Sequence, residues 1–181
     1  GLERILTHGD GIGDLGADRL NRRRCLLALV RAHGPELLEQ QVGGAGADLS
    51  ADEAGSLIFG AAVGVDLTRR DLQAEAKKAG RPWDMAKGFD ASAPIGLIRP
   101  GRAPDTGPIT LSVDGEARQS GDLSQMIWSN AEILSHLSGQ VRLEPGDLVF
   151  TGTPAGVGPV ARGQTLLVEI DGLSPLRVIL N

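Results

Sequence analysis

The stretch Thr165-Leu166-Leu167-Val168-Glu169-Ile170-Asp171-Gly172-Leu173-Ser174-Pro175-Leu176-Arg177-Val178-Ile179-Leu180 decides the fold class. Leu166, Val168 and Ile170 recur with period two, Asp171-Gly172 gives a turn, and Leu176, Val178 and Leu180 alternate back. That pattern is a hairpin with one buried face. Upstream, Leu148 to Thr151 reads as a strand leading into Gly152-Thr153-Pro154-Ala155-Gly156-Val157-Gly158. Further back, Ile109, Leu111 and Val113 alternate before Asp114-Gly115, which predicts a second hairpin closed by a type I′ turn. Ile58 to Val65 is apolar and glycine-rich, as in a buried strand.

Helix signals lie between these strands. Ser50-Ala51-Asp52-Glu53 is a capping box, and Ser129 with Glu132 forms another. Ala131, Leu134 and Leu137 then share one side of a short helix. Thr68 and Asp71 repeat the capping pattern, predicting a helix through Arg70 to Lys78 that stops at Gly80, with Pro82 beyond. Strands and short helices mix without a regular βαβ repeat. The expected fold is α+β, dominated by a mixed or antiparallel sheet.

Composition agrees. Of 181 residues, 26 are Gly and 10 are Pro, too many turn formers for a helical bundle. The net charge of −5 argues against a duplex-binding domain, which carries a basic surplus. A lone cysteine, Cys25, forms no intramolecular disulfide framework and no cysteine-rich zinc site. With no run of 18 apolar residues and no apolar leader in the first residues, a cytoplasmic protein without a membrane partner is expected. Residues 1–44 read differently from the rest. Gly11-Ile12-Gly13-Asp14-Leu15-Gly16 fits a dinucleotide-binding pattern, but no strand precedes it and no βαβ unit follows. Leu26 to Val30 reads equally as strand or helix.

Polar function concentrates where a buried strand gives way to a helix, at Val65-Asp66-Leu67-Thr68-Arg69-Arg70-Asp71-Leu72-Gln73. Arg70, Gln73 and Lys77 share a helix face at i, i+3 and i+7. A carboxylate beside a guanidinium, an amide and an ammonium can hold a hard cation and an anionic substrate together. A solvated helix face next to a capping carboxylate has the same spacing. Lys87 is flanked by apolar groups, so it needs a carboxylate partner or a lowered pKa, unless its stem lies on Trp83 at the surface. The turn after Phe150 brings Thr151 and Thr153 hydroxyls to glycine-opened backbone, which suits an anion, although an ordinary connection has the same composition.

Four segments together resemble the fumarylacetoacetate hydrolase family, most closely its small acylpyruvase-like branch. They are Gly64 to Gln73, Lys77 to Trp83, Ala86 to Asp90 with Pro94-Ile95-Gly96, and Gly146-Asp147 through Pro159. The resemblance covers about residues 43–181, and implies a divergent or incomplete segment over 1–44 and a catalytic domain over 45–181. It also implies a mixed β-roll with peripheral helices, assembled as a homodimer. The implied activity is divalent-metal-dependent cleavage of a C–C bond in acylpyruvate or β-diketo acids, or the related decarboxylation or isomerisation. The implied cofactor is Mg²⁺ or Mn²⁺, with Ca²⁺ as an option. Carried over by position, Asp66 resembles a metal carboxylate, Arg70 and Gln73 substrate-binding groups, Lys87 the catalytic lysine, and Thr153 a contact to the substrate carboxylate.

The head departs from this pattern. The family places a His-x-Glu-x-Glu-like strand about 30 residues before the aspartate. Here the region reads Ala32-His33-Gly34-Pro35-Glu36-Leu37-Leu38-Glu39. Glu36 is taken as a second metal carboxylate, and Glu39 is its only nearby acidic companion. His8 and Glu3 do not reproduce the branch's water-activating His/Glu pair. The alternative function is therefore a metal-free, non-catalytic or repurposed member, acting as a binding or dimerisation module.

Overall fold

The computed structural model describes residues 28–31 and 42–181. The expectations at Glu3, His8, Cys25, Glu36 and Glu39 fall outside these residues. In chain order the elements are β1 (Ala28–Arg31), α1 (Ala51–Ser56), β2 (Gly60–Ala61), α2 (Arg70–Lys78), α3 (Asp84–Lys87), β3 (Arg99–Pro100), β4 (Pro108–Val113) and β5 (Glu116–Asp122). A 3₁₀ turn (Leu123–Gln125), α4 (Asn130–Ser138), β6 (Asp147–Phe150), β7 (Thr165–Ile170) and β8 (Leu176–Ile179) follow. This is the α+β class the sequence predicts.

The main sheet has strand order β5-β4-β7-β8, and every pair in it is antiparallel. Both predicted hairpins are present. Asp114 and Gly115 have φ of 52° and 85°, the two left-handed central positions of a type I′ turn. The register of β4 and β5 shifts after Leu111: Ser112 faces Ala117 and Leu111 faces Gln119, so Arg118 is the extra residue of a β-bulge. One face of the sheet buries Val113, Leu166 and Val168 against Val63 and Val65. β6 pairs instead with β1, Asp147 opposite Arg31 and Phe150 opposite Ala28.

A second core joins α1 to α4 through Val42, Ala54, Leu134, Leu137 and Leu143. Fully burying each leucine there contributes about 2 kcal/mol. Both helices start on complete capping boxes. Glu53 Oε2 accepts from the Ser50 backbone N–H at 2.9 Å, and Glu132 Oε2 accepts from that of Ser129 at 2.7 Å. Two sequence expectations need correction. Residues 58–65 do not form one strand: Ile58 bridges Val42, β2 pairs with β3, and Gly64 bridges Ile95. The run is apolar because Val63 and Val65 are core, and apolarity alone does not specify a continuous ladder. Nor does Thr68 cap α2. The N-cap is Arg69, without a side-chain cap bond, because the Thr68 hydroxyl is engaged elsewhere.

Candidate active site

Residues 63–69 and 86–96 run side by side. Gly96 N–H donates to the Val63 carbonyl, Val65 N–H to Pro94, Leu67 N–H to Ser92, and Arg69 N–H to Ala86, at 2.8 to 3.0 Å. In this extended segment side chains alternate. Val65 and Leu67 turn to the hydrophobic core. Asp66 and Thr68 share the opposite face, and both meet Lys87. The Lys87 ammonium donates to Asp66 Oδ2 at 2.8 Å and to Thr68 Oγ1 at 2.7 Å. Lys87 is 5% exposed and Asp66 19%. α3, ending at Lys87, turns the lysine inward beside buried Ala86.

Burial governs the electrostatics of this pair. It pushes the Asp66 carboxyl above its ordinary range, outweighing the opposing pull of Lys87 and, less strongly, Arg70. It pushes the Lys87 ammonium down, against the support of Asp66, and the positive charge of Arg70 adds to the lowering. Each charge is thus costly alone and holds through the other.

Arg70 Nη1 donates to Gln73 Oε1 at 2.8 Å across one turn of α2, as the i, i+3 spacing predicts. The Arg69 guanidinium lies 4.4 Å from the centre of the Phe89 ring, tying the start of α2 to the chain beyond α3. Thr153 belongs to the turn after β6. Its Oγ1 accepts from Gln119 Nε2 at 2.8 Å, and no bond joins it to Asp66, Arg70, Gln73 or Lys87. β6 nevertheless packs against the segment that carries Asp66: a methyl group on Gly64 would sit 2.6 Å from Phe150 Cε1, so any larger residue there has to displace the Phe150 ring.

The structure therefore brings together Asp66 with Lys87, and Arg70 with Gln73, while Thr153 stands on a separate turn. Sequence spacing missed Thr68 and Gln119. Thr68 was readable from period two, because a residue two beyond Asp66 in extended chain shares its face. Gln119 bonds across 34 residues, and no local pattern announces that. A cleft of about 660 Å³ between the first turns of α1 and α4, walled by Met126 and Trp128, includes none of the predicted site residues.

A hard divalent cation takes six or more oxygen ligands. Asp66 is one suitable oxygen donor. Among the described residues, no three His, Cys, Asp or Glu side chains come together as a metal cluster. The described residues alone therefore do not complete a cation site.

The fold and this constellation define an α+β protein with a buried lysine–carboxylate pair at a strand-to-helix junction. The sequence pattern of the fumarylacetoacetate hydrolase C-terminal domain matches residues 41–180. The chain belongs to that family of enzymes. A fumarylpyruvate hydrolase from a Ralstonia species is 40% identical over 137 residues, covering 75% of this chain and 71% of that protein. A mitochondrial oxaloacetate tautomerase from Arabidopsis thaliana is 45% identical over 123 residues, covering 66% of this chain and 55% of that one. Among solved structures, the fumarylpyruvate hydrolase of Pseudomonas aeruginosa in complex with Mn²⁺ and pyruvate superposes with a TM-score of 0.74 at 49% identity. That match covers 78% of this chain and 63% of that chain. This chain thus spans only part of each relative. Among the described residues, no helix is long and apolar enough to cross a membrane.

Proposed function

We propose that this chain carries the catalytic core of a divalent-metal-dependent enzyme acting on acylpyruvate-type keto acids, cleaving a C–C bond or catalysing the related decarboxylation or isomerisation. The observation that carries this reading is the buried Lys87 ammonium, held by Asp66 and Thr68 beside Arg70. Relatives named fumarylpyruvate hydrolase and oxaloacetate tautomerase support the substrate class, and the Mn²⁺ and pyruvate of the Pseudomonas structure support the cofactor class.

In this reading Asp66 is one metal carboxylate and Glu36 a second, with Mg²⁺ or Mn²⁺ as the cation. When bound, the cation supplies Lewis-acid polarisation of the keto-acid oxygens. Lys87 places a positive charge in a poorly solvated site, where it stabilises negative charge developing on the substrate. Asp66 and Thr68 fix the ammonium, which leaves its third N–H for that oxygen. Arg70, oriented by Gln73, binds a carboxylate, and Thr153 donates to one. Turnover of oxaloacetate or an acylpyruvate with Mn²⁺, abolished by Asp66→Ala, is the expected result. Unchanged turnover in that variant refutes the role of Asp66.

A second reading, a repurposed member without metal, rests on the head of the sequence, where Leu38 stands two residues after Glu36 and no water-activating His/Glu pair is found. Calorimetry separates the two, because micromolar Mn²⁺ binding rejects the metal-free version. Homodimer formation is a further part of the proposal, and a monomer in sedimentation contradicts it.

A further inference from the structure

β5 is an edge strand of the main sheet, and its bulge at Arg118 faces the glycine-rich turn after β6. Gln119 Nε2 donates to Thr153 Oγ1 at 2.8 Å and also to the Pro154 carbonyl at 2.8 Å. Gly156, at φ 105°, presses on the Arg118 carbonyl so closely that a methyl group there would collide with it. A methyl on Gly121 would come within 2.8 Å of Pro154 Cβ. The turn is therefore seated on β5 at three places, Arg118, Gln119 and Gly121.

The two bonds also fix a direction. A carbonyl oxygen only accepts, so the Gln119 group facing Pro154 is its NH₂, and the same nitrogen faces Thr153. Thr153 Oγ1 is an acceptor toward Gln119. Its own O–H is left to donate away from β5, and a carboxylate only accepts. We propose that Gln119 is a positioning residue that clamps the Gly152–Gly158 turn to the bulged edge of β5 and sets Thr153 as a hydrogen-bond donor to the carboxylate of an anionic keto acid. The donor half rests on the reading of Thr153 as a substrate contact, whereas the clamp does not.

The test compares wild type, Gln119→Met, Thr153→Val and the double variant with two readouts, with Gln119→Leu standing in for Gln119→Met if that variant misfolds. The first is backbone ¹⁵N relaxation without metal or substrate. Order parameters of Ala155 and Gly156 are expected near the rigid value of about 0.85 in wild type, falling toward about 0.6 in the Gln119 variant. Unchanged values overturn the clamp. The second readout is the dissociation constant of pyruvate in the presence of Mn²⁺. Loss of a hydrogen bond to a charged group weakens binding about tenfold or more. Both single variants are expected to show that loss, and the double variant is expected to lose no more than Thr153→Val, because Gln119 acts through Thr153. Weakening by Thr153→Val but not by Gln119→Met overturns the donor assignment. No effect of Thr153→Val, or no pyruvate binding by wild type, overturns the substrate reading, and the relaxation data still decide the clamp.

Discussion

Lys87→Met is the perturbation that most sharply probes the buried pair. Methionine keeps the length of the stem and removes the charge. Asp66, 19% exposed, then loses its counter-charge, and Thr68 loses a donor. Removing one partner of a fully buried pair costs about 3–5 kcal/mol. Asp66 keeps some contact with water, and burial already pushes its carboxyl upward, so taking up a proton offers an escape. About 2 kcal/mol at neutral pH is the resulting expectation. For a chain of this size that lowers Tm by about 4–8 °C. Without Lys87 the Asp66 carboxyl rises further. A group whose folded pKa exceeds its unfolded value, 3.8 here, contributes stability that is present below that value and is lost as pH rises through the folded pKa. The deficit of Lys87→Met relative to wild type therefore grows between about pH 4 and neutrality. Adding Asp66→Asn removes the stranded charge and recovers most of the loss. The assay is thermal unfolding of the metal-free protein by circular dichroism, at about pH 4.5 and about pH 7.5. Equal deficits at both values, or a double variant as unstable as the sum of the singles, would show that Lys87 does not hold a buried Asp66 charge.

Other outcomes follow from the same contacts. Thr68→Val leaves a Lys87 N–H without its acceptor and lowers kcat/KM about tenfold or more, whereas Thr68→Ser restores it; equal activities would remove Thr68 from the site. Leu143→Ala, at a fully buried position between α1 and α4, costs about 3 kcal/mol in urea unfolding. Ser129→Ala removes the N-cap of α4 at a cost of about 1 kcal/mol. Hydrogen bonds from Ser129 hold the Glu132 carboxyl below its ordinary 4.5, so its contribution is present above that value and fades as pH falls through the folded pKa. Ser129→Ala should therefore narrow its gap to wild type in acid, as read by unfolding across pH.

Much of the fold was legible because its signals are local. The two hairpins announce themselves through period-two apolar residues and Asp-Gly turns, and α1 and α4 through Ser-x-x-Glu boxes. The same local logic misled at Thr68. Its hydroxyl stands three residues before Asp71, as a cap would, but the buried Lys87 ammonium takes it instead. A desolvated charge needs its acceptors more than an exposed helix end needs a cap. The strand expected over 58–65 failed for a related reason, since its apolar residues report burial and not pairing. Asp66 and Lys87 were each conspicuous in sequence. Their 2.8 Å contact depends on a ladder between segments about 20 residues apart, which spacing does not reveal. Gln119 was invisible for the same reason, because its bond to the turn after β6 spans 34 residues.

In the proposed function, Asp66 belongs to a divalent-metal site serving a keto acid. Mn²⁺ binding, followed by electron paramagnetic resonance of wild type and Asp66→Asn with and without pyruvate, tests it most directly. Micromolar binding in wild type, tightened by pyruvate, and a loss of about a hundredfold in Asp66→Asn are expected. Mn²⁺ that stays free beside wild type, or that binds both proteins equally, would contradict it.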